Sequence, residues 1–357
     1  MIKYLGSKRA LVGVLGDLLD AVGARTALDL FTGTSRVAQE FCRRGAAVTA
    51  LDSASYSEVL AQCYVATDAA DIDPDEVVGA IRQLEALPDH RGYVTRVFCE
   101  QARYFHPDNG VRIDAIRDGL DALYPDGPLR PILLTSLLEA ADAVDSTVGL
   151  QMAYLKQWAP RAKRPLRLRP PVLTPGRGVA LRGDAVELAG ELPPADLAYL
   201  DPPYNQHRYF TNYHVWETLV RWDAPEHYGV ACKRIDAREA VTKSAFNSTK
   251  TMPQALARVV ADVRAEVVVV SFSNEGFLPL TELVRICELR GHPVHVLAFD
   301  SRRHIGSQIG IYNGSGERVG VAGARSNLEY LLVSAPQELA GALEGFTSRG
   351  SVVPADR

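Results

Sequence analysis

A tetrapeptide near the middle of the chain carries groups that can do chemistry on an amino group. Asp201-Pro202-Pro203-Tyr204 follows the apolar run Leu197–Leu200. The aspartate carboxylate and the Pro202 carbonyl can each accept a hydrogen bond from an NH2 group. The prolines fix φ and have no backbone N–H to compete, and the tyrosine ring can stack on a base, worth about 1–3 kcal/mol. The motif predicts methylation of an exocyclic amino group; the alternative is a Pro-Pro turn that only ends a strand.

A second pattern, close to the N-terminus, predicts a nucleotide-type binding unit. The apolar stretch Thr26–Phe31 is typical of a buried strand, and Ala46–Leu51 of a second one. Between them lie a turn containing Gly33 and a helical pattern, and Asp52 ends the second strand. The glycine lets the backbone approach a ligand, and the acidic side chain can hold a ribose diol. NAD-binding proteins share this layout, so the pattern predicts a Rossmann-like α/β fold without fixing the cofactor.

The strands then give way to a long helical stretch. Residues 53–182 are too many for a loop in a compact domain, and we predict an inserted, mostly helical subdomain. Its expected helices are Glu76–Leu87, Gly92–Phe105, Arg112–Leu123 and Pro131–Val144. The sheet pattern resumes with strands expected at Asp196–Leu200, Glu266–Phe272, Val294–Phe299, a hairpin of Gln308–Tyr312 and Arg318–Val321, and Leu328–Val333. The predicted division is 1–52 with 183–335, the insert 53–182, and a tail 336–357.

Composition and cysteine usage narrow the class of protein. The chain has 357 residues, 47% of them apolar and 23% charged, as in ordinary globular proteins. We find no apolar run of membrane-spanning length and no signal peptide, so we expect a cytoplasmic protein without a membrane partner. The five cysteines are scattered without metal-ligand spacing, which predicts reduced thiols and no metal site.

One segment is strongly basic although the net charge is −4. Residues 151–182 contain no acidic residue. Their cations are Lys156, Arg161, Lys163, Arg164, Arg167, Arg169, Arg177 and Arg182. Lys and Arg side chains that neutralise phosphates release counterions and add salt-dependent affinity. The segment therefore favours nucleic-acid contact; the alternative is a solvated linker.

The order of the motifs resembles that of a known family. Lys3-Tyr4-Leu5-Gly6-Ser7-Lys8, Asp29-Leu30-Phe31-Thr32-Gly33-Thr34-Ser35, Gly183-Asp184-Ala185 and Asp201-Pro202-Pro203-Tyr204 follow one another as in adenine-specific DNA methyltransferases. The chain is most similar to the branch of Dam methylases and type IIS modification enzymes. Similarity to type IIS enzymes extends to Asn109–Arg117, Asn212–His214, Ser271–Gly276 and Ile309–Asn313. The resemblance covers nearly the whole chain except its tail.

This resemblance implies a fold, a reaction and a set of site residues. It implies a Rossmann-like methyltransferase that moves a methyl group from S-adenosyl-L-methionine to N6 of an adenine flipped out of double-stranded DNA. The insert then recognises the target, and a restriction endonuclease that acts separately is a possible companion. The oligomeric state stays open.

The family pattern also assigns roles to particular residues. Catalysis is implied for Asp201, Pro202 and Tyr204. Cofactor binding is implied for Tyr4, Lys8, Asp29, Phe31, Gly33, Ser35, Asp52, Asp184 and Asp201, with Lys8 as a partner for the cofactor's carboxylate. The target base pocket would use Pro203, Tyr204, Phe210 and Tyr213, and DNA phosphates would contact Arg161, Lys163, Arg164, Arg167 and Arg169.

Two of these positions depart from the family pattern. Ala185 stands where the Gly-Asp-Phe motif of Dam-like enzymes has an aromatic residue, which removes a stacking partner for the cofactor's adenine. Ser35 stands where many relatives have a third glycine, and it could instead cap the helix that follows.

Five other functions compete with this interpretation. Methylation of the N4 amino group of cytosine needs the same chemistry, although such relatives more often begin the tetrapeptide with serine. RNA or a glutamine side chain is a less favoured acceptor. A DNA-binding protein without activity would keep the fold, and a dehydrogenase would need more glycines in the first turn.

Overall fold

A computed structural model describes residues 2–4, 8–176, 178–302, 326–344, 346 and 351–352. The chain forms two compact units, each built from separated segments. The first unit contains Met1–Ser7, Thr32–Asp184 and His207–Ser244, and the second contains Lys8–Phe31, Ala185–Gln206 and Ala245–Arg357. These boundaries differ from the predicted ones because the helices of residues 53–182 share a unit with the turn and strand that precede them.

The strands are named here in chain order. They are β1 (Thr26–Asp29), β2 (Ala47–Asp52), β3 (Val179–Arg182), β4 (Ala195–Leu200), β5 (His227–Tyr228), β6 (Lys233–Arg234), β7 (Ala265–Ser273), β8 (Val294–Arg302), β9 (Ser326–Ser334) and β10 (Ser351–Val352).

The α-helices are named in the same way. They are α1 (Val12–Ala21), α2 (Arg36–Arg43), α3 (Ser55–Ala61), α4 (Pro74–Glu85), α5 (Pro107–Leu123), α6 (Leu129–Ala143), α7 (Ala185–Leu188), α8 (Tyr209–Asn212), α9 (His214–Arg221), α10 (Met252–Asp262), α11 (Leu280–Cys287) and α12 (Ala340–Glu344). Two π-helical stretches, Gln62–Ala66 and Val94–Gln101, lie between them.

The first unit is mostly helical and has its own hydrophobic core. Phe98, Ile116, Leu137 and Trp216 come from four helical segments and are each at most 1% exposed. Helices form where capping residues and apolar spacing agree. In α4, for example, the Asp73 carboxylate accepts a hydrogen bond from the Asp75 backbone N–H, and Pro74 occupies the first turn. In the same unit β2 pairs in parallel with β3.

The second unit is built on a mixed sheet with the strand order β10-β8-β9-β7-β4-β1. The pairs β1–β4 and β4–β7 are parallel, whereas β7–β9, β8–β9 and β8–β10 are antiparallel. Residues Leu197–Leu200 of β4 are buried without alternation, as expected for a strand covered on both faces. The tetrapeptide therefore begins at the carboxyl end of an interior strand, where α/β proteins place ligands.

The predicted α/β class is confirmed, and the predicted strands that lie among the described residues occur within a few residues of their expected bounds. β3 was not predicted; it has four residues, of which none is buried and whose exposure does not alternate. The predicted helix Gly92–Phe105 is instead the π-helical stretch Val94–Gln101. The expected hairpin at 308–321 lies outside the described residues. All five cysteines are buried and free, and no described helix has the length and apolar character to cross a membrane.

Candidate active site

The tetrapeptide lies at the carboxyl end of β4, in the second unit. Its Asp201 carboxyl group faces the ammonium of Lys8, with Oδ1 at 3.2 Å from Nζ. Pro202 is buried, whereas Pro203 and Tyr204 are half-buried. The two prolines limit backbone freedom at this point, so the carboxylate and the Pro202 carbonyl are held by a rigid turn.

Lys8 contacts two carboxylates, those of Asp201 and Glu329. Glu329 lies on β9, and the Ser271 hydroxyl on β7 donates a hydrogen bond of 3.2 Å to its Oε1. The side chains of Lys8, Glu329 and Asp201 are 6%, 9% and 18% exposed. These contacts satisfy Lys8, because a buried ammonium requires nearby negative charge. The role of Lys8 as a partner for a cofactor carboxylate stays a prediction.

The enclosed charges alter one another's protonation. Burial raises the pKa of Asp201 to about 7; Lys8 lowers it, and the negative charge of Glu329 raises it further. Burial opposes the charge on Lys8, but Asp201 and Glu329 outweigh it and hold the pKa of Lys8 well above its usual value. The ammonium therefore stays charged, while the Asp201 carboxyl can gain or lose a proton close to neutral pH.

Neighbouring groups of the second unit hold the Tyr204 ring in position. It lies 5.7 Å from the Phe272 ring, and the Lys8 ammonium lies 5.3 Å from its centroid. The Phe277 backbone N–H donates a hydrogen bond of 2.8 Å to the Tyr204 carbonyl. A Cβ at Gly276 would come within 2.2 Å of Phe272 Cε1, so only glycine leaves room for that ring. Ser271, Phe272 and Gly276 belong to the segment that resembles type IIS enzymes, and here they position Glu329 and Tyr204.

The turn after β1 and the end of β2 form a second cluster, in the first unit. Asp52 accepts hydrogen bonds from the backbone N–H of Gly33 at 2.9 Å and of Ala54 at 3.0 Å. Its own carbonyl accepts from the N–H of Gly183 at 2.9 Å, which brings Asp184 next to the end of β2. Burial raises the pKa of Asp52, and these N–H groups oppose the rise.

Tyrosine rings pack beside this cluster. Tyr4 stacks on Tyr213 at 4.6 Å and on Tyr209 at 5.3 Å between ring centroids, and its hydroxyl lies 3.3 Å from that of Tyr56. Gly33 has φ +51°, and a Cβ there would lie 3.1 Å from Tyr4 Cε1. Tyr213 was predicted to line the target base pocket, but it is only 1% exposed. Its faces pack against other tyrosines, so it serves as core in this arrangement.

The remaining predicted site residues fall into three environments. Ser35 is fully buried and immediately precedes α2 with φ +59°, without a capping hydrogen bond from its side chain. Such a positive φ suits the glycine that relatives carry at this position. In the second unit Asp29 is buried, and Phe31 meets Phe246 edge-on at 5.1 Å. Phe210 is half-buried and Asp184 is exposed, so both have surface for contact.

The basic segment forms an exposed ridge in the first unit. Leu166 and Leu168 point inward, whereas Lys163, Arg164, Arg167 and Arg169 are exposed. No ion pair joins these four cations to any residue that the structure describes.

Side chains of the helical region hold the backbone of this ridge. The Asn109 amide nitrogen donates to the carbonyls of Ala162 and Arg164, and its oxygen accepts from the Leu166 N–H. Ser136 donates to the Arg169 carbonyl. The four cations are thus presented outward by a fixed segment.

One other member of the basic segment differs from the prediction. Arg161 was expected to contact phosphate, but its guanidinium donates to the Asp145 carboxylate at 2.6 Å and to the Thr147 carbonyl at 2.6 Å. The nearly fully buried Asp145 carboxylate needs this partner, so Arg161 has a structural role. Arg177 lies outside the described residues, as do Leu5, Gly6 and Ser7 of the N-terminal motif.

Comparison with known proteins fits this geometry. A family model for the D12 class N6 adenine-specific DNA methyltransferase matches residues 4–270, which include the tetrapeptide, Lys8 and the cluster of Gly33 and Asp52. The chain belongs to this family. It is therefore an adenine-specific DNA methyltransferase, which favours adenine over the cytosine alternative.

Individual relatives of the D12 methyltransferase are modification enzymes. The chain is 28% identical to the type II methyltransferase M.NlaIII of Neisseria lactamica, over 81% of this chain and 89% of that protein. It is 28% identical to the type II methyltransferase M.FokI of Planomicrobium okeanokoites, over 82% of this chain and 47% of that protein. The modification methylase LlaI of Lactococcus lactis subsp. lactis is 26% identical to this chain, over 79% of this chain and 48% of that protein. The match thus spans about half of the latter two proteins.

Glu329 is the main site residue of this methyltransferase that the sequence did not single out. It lies 128 positions after Asp201 in a strand whose pattern indicates only burial. An acidic residue in an otherwise apolar strand, at Leu328–Val333, is the one signal that could have marked it. Membership of a methyltransferase family further implies a methyl donor, for which S-adenosylmethionine is the general choice, and DNA as the substrate.

Proposed function

We propose that this chain methylates adenine within one recurring sequence of duplex DNA, with S-adenosylmethionine as donor, as the modification enzyme of a restriction system. The names of its relatives, type II methyltransferases and modification methylases, support this proposal. A cognate endonuclease would then act as a separate protein. The observation that carries the proposal is the Asp201 carboxyl group, fixed by two prolines at the end of β4 and paired with Lys8.

In the proposed reaction, Asp201 and Pro202 activate a weak nucleophile. The amino nitrogen of adenine shares its lone pair with the ring, and hydrogen bonds to the carboxylate and to the Pro202 carbonyl draw it toward tetrahedral geometry. When bound, S-adenosylmethionine supplies an electrophilic methyl group, whose bond to sulfur breaks as the bond to N6 forms. Asp201 accepts the one proton that the nitrogen loses. Alignment of the amino group with the methyl group contributes much of the rate acceleration.

An adenine inside a duplex cannot reach a recessed carboxylate. We therefore propose that the target base is flipped out, which costs a few kcal/mol. Tyr204 offers the stacking face, and its position is fixed by Phe272 and the Phe277 N–H. Pro203 is proposed as a further contact, since it is half-buried rather than enclosed. The role of Phe210, which is half-buried in the first unit, stays a prediction.

We propose that the Gly33–Asp52 cluster binds the donor. The Asp52 carboxylate offers about four lone-pair sites and accepts from the backbone N–H groups of Gly33, Ser53 and Ala54, which leaves capacity for a ribose hydroxyl. The Tyr4 ring covers the Gly33 turn. Asp184 is proposed to contact the adenine of the donor, and Ser35 keeps its proposed role in the same unit. The cofactor-binding roles of Asp29 and Phe31, which belong to the second unit, stay predictions. The residues present fit such a ligand.

Replacing Gly33 by Ala should weaken binding of S-adenosylmethionine about tenfold. An Ala side chain at φ +51° is strained by roughly 1–2 kcal/mol, and its Cβ would push the Tyr4 ring away. Isothermal titration calorimetry measures the affinity. Gly13→Ala is the matched control, since a Cβ there meets nothing within 4 Å and lies in helix α1. Unchanged affinity in Gly33→Ala would contradict the placement of the donor beside this turn.

We propose that the first unit's ridge of Lys163, Arg164, Arg167 and Arg169 binds DNA phosphates. The double variant Arg164→Ala/Arg167→Ala should weaken binding of all duplex sequences alike and reduce the salt slope of log K by about 1.8, or about 0.9 per lost phosphate contact. Fluorescence anisotropy at several salt concentrations tests this. Arg82→Ala, an exposed arginine of α4, serves as control. Weaker binding to a single sequence only would make the two arginines base readers.

The proposed sequence specificity has its own test. Purified protein, S-adenosylmethionine and unmodified genomic DNA would be incubated, and methylated adenines mapped by long-read sequencing. We expect methylation at one recurring short sequence, close to completion. Scattered methylation without a shared sequence would refute the modification role while leaving the chemistry intact.

A further inference from the structure

The buried cluster of Lys8, Asp201 and Glu329 contains one positive and two negative side chains in the second unit. Of these three side chains, the reaction at the amino group requires only Asp201. A second carboxylate beside it is costly, because burying a charge is unfavourable and like charges repel. Glu329 must therefore be held by specific contacts, and among the described residues these are Lys8 and the hydroxyl of Ser271.

The strand arrangement explains how Glu329 reaches this position. β9 pairs with β7, Glu329 opposite Ser273, and β7 pairs with β4, which leads into Asp201. Lys8 enters from outside these strands and contacts both carboxylates. It meets Asp201 at Oδ1, and a carboxylate has a second oxygen with lone pairs to accept from an amino group.

We propose that Glu329 is a positioning residue of the reaction: it fixes the Lys8 ammonium against the Asp201 carboxylate and adds a second negative charge beside it. This inference rests on the proposed role of Asp201. The first effect keeps one oxygen of Asp201 engaged and the carboxylate in one orientation. The second makes Asp201 a better acceptor for the proton that the amino nitrogen releases as its new bond to carbon forms.

The charged and titratable groups around Asp201 determine the direction in which each substitution should shift the pKa of its carboxyl group. Among the described residues they are Lys8, Glu329, Tyr199 and Tyr204. Both tyrosines have their pKa raised by burial, that of Tyr204 to about 12, so they stay neutral near pH 7. Glu329 raises the pKa of Asp201 and Lys8 lowers it. Removing either charge should therefore move the protonation of Asp201, in opposite directions.

The test is the pH dependence of the single-turnover methylation rate in Glu329→Gln. Glutamine keeps the size and an oxygen acceptor but removes the charge. We expect the acid limb of the profile, where activity falls as Asp201 becomes protonated, to move about one unit to lower pH. The plateau rate should fall between about 10- and 100-fold, because Lys8 and Asp201 are less well held. Glu266→Gln, an exposed glutamate on β7, is the control and should match the wild type.

Lys8→Gln provides a second variant whose expected shift has the opposite sign. Without the ammonium, the acid limb should move to higher pH. An unchanged acid limb in Glu329→Gln overturns the inference, as does a lower rate and lower unfolding temperature without any pH shift. Should Glu329→Gln fail to fold, a Lys8→Gln profile without a shift to higher pH overturns it. If the wild type methylates no adenine, the proposed function fails; if it does and Glu329→Gln behaves as wild type, only the role of Glu329 fails.

Discussion

Asp201→Asn is expected to slow methyl transfer by about 10²- to 10⁴-fold, the usual contribution of a side chain that accepts a proton in the reaction. Asparagine keeps the shape of the side chain but loses the charge, so it cannot take up the proton from the amino nitrogen. Single-turnover transfer of a labelled methyl group into duplex DNA measures the rate. Calorimetry with S-adenosylmethionine should show largely intact affinity, because the Gly33–Asp52 cluster is untouched.

A matched control separates this effect from a general loss of structure. Asp262→Asn removes an exposed carboxylate from α10 of the same unit, where it forms an ion pair with Arg258 of the same helix. We expect this variant to keep wild-type rates. Near-normal turnover in Asp201→Asn would disprove the mechanism, since no other carboxylate has been assigned to the amino group.

Tyr204→Ala is expected to lower kcat/KM on duplex DNA by about 5- to 150-fold, which corresponds to the loss of roughly 1–3 kcal/mol of stacking on the target base. Tyr204→Phe keeps the ring, its contact with Phe272 and its place beside the Lys8 ammonium. We expect the Phe variant to retain most of the activity. Steady-state kinetics on one duplex provides the comparison. If Ala and Phe reduce activity equally, the hydroxyl rather than the stacking face matters, and the proposed pocket is wrong.

Local patterns were sufficient to predict the strand that carries the catalytic residues. Leu197–Leu200 is buried throughout and is followed by two prolines, so both the strand and its end follow from neighbouring residues. The same holds for Gly33 and Asp52, because a glycine turn and an acidic strand end serve the binding of a nucleotide. These residues lie where the sequence predicts them because their roles depend on short segments.

Contacts between distant segments could not be predicted in the same way. Glu329 reaches Lys8 only through the order of β4, β7 and β9 in the sheet, which no single segment encodes. Tyr213 was assigned to a base pocket because aromatic residues are dense in its neighbourhood. Three-dimensional packing instead buries it against Tyr4, which comes from a segment more than 200 positions earlier.

The basic segment illustrates the same distinction. Its charge alone indicated contact with phosphates, and the alternation of leucine and arginine from Arg164 to Arg169 agrees with the exposed ridge. Arg161 shares the charge but pairs with Asp145, a residue outside the basic segment. The partner of a cation decides whether it can bind DNA, and that partner depends on the fold.

The most direct test of the account is to identify the base that the protein modifies. Unmodified duplex DNA would be treated with S-adenosylmethionine and either the wild type or Asp201→Asn, digested to nucleosides and analysed by mass spectrometry. We expect N6-methyladenine with the wild type and little or none with the variant. N4-methylcytosine as the product, or equal amounts of N6-methyladenine from both proteins, would contradict it.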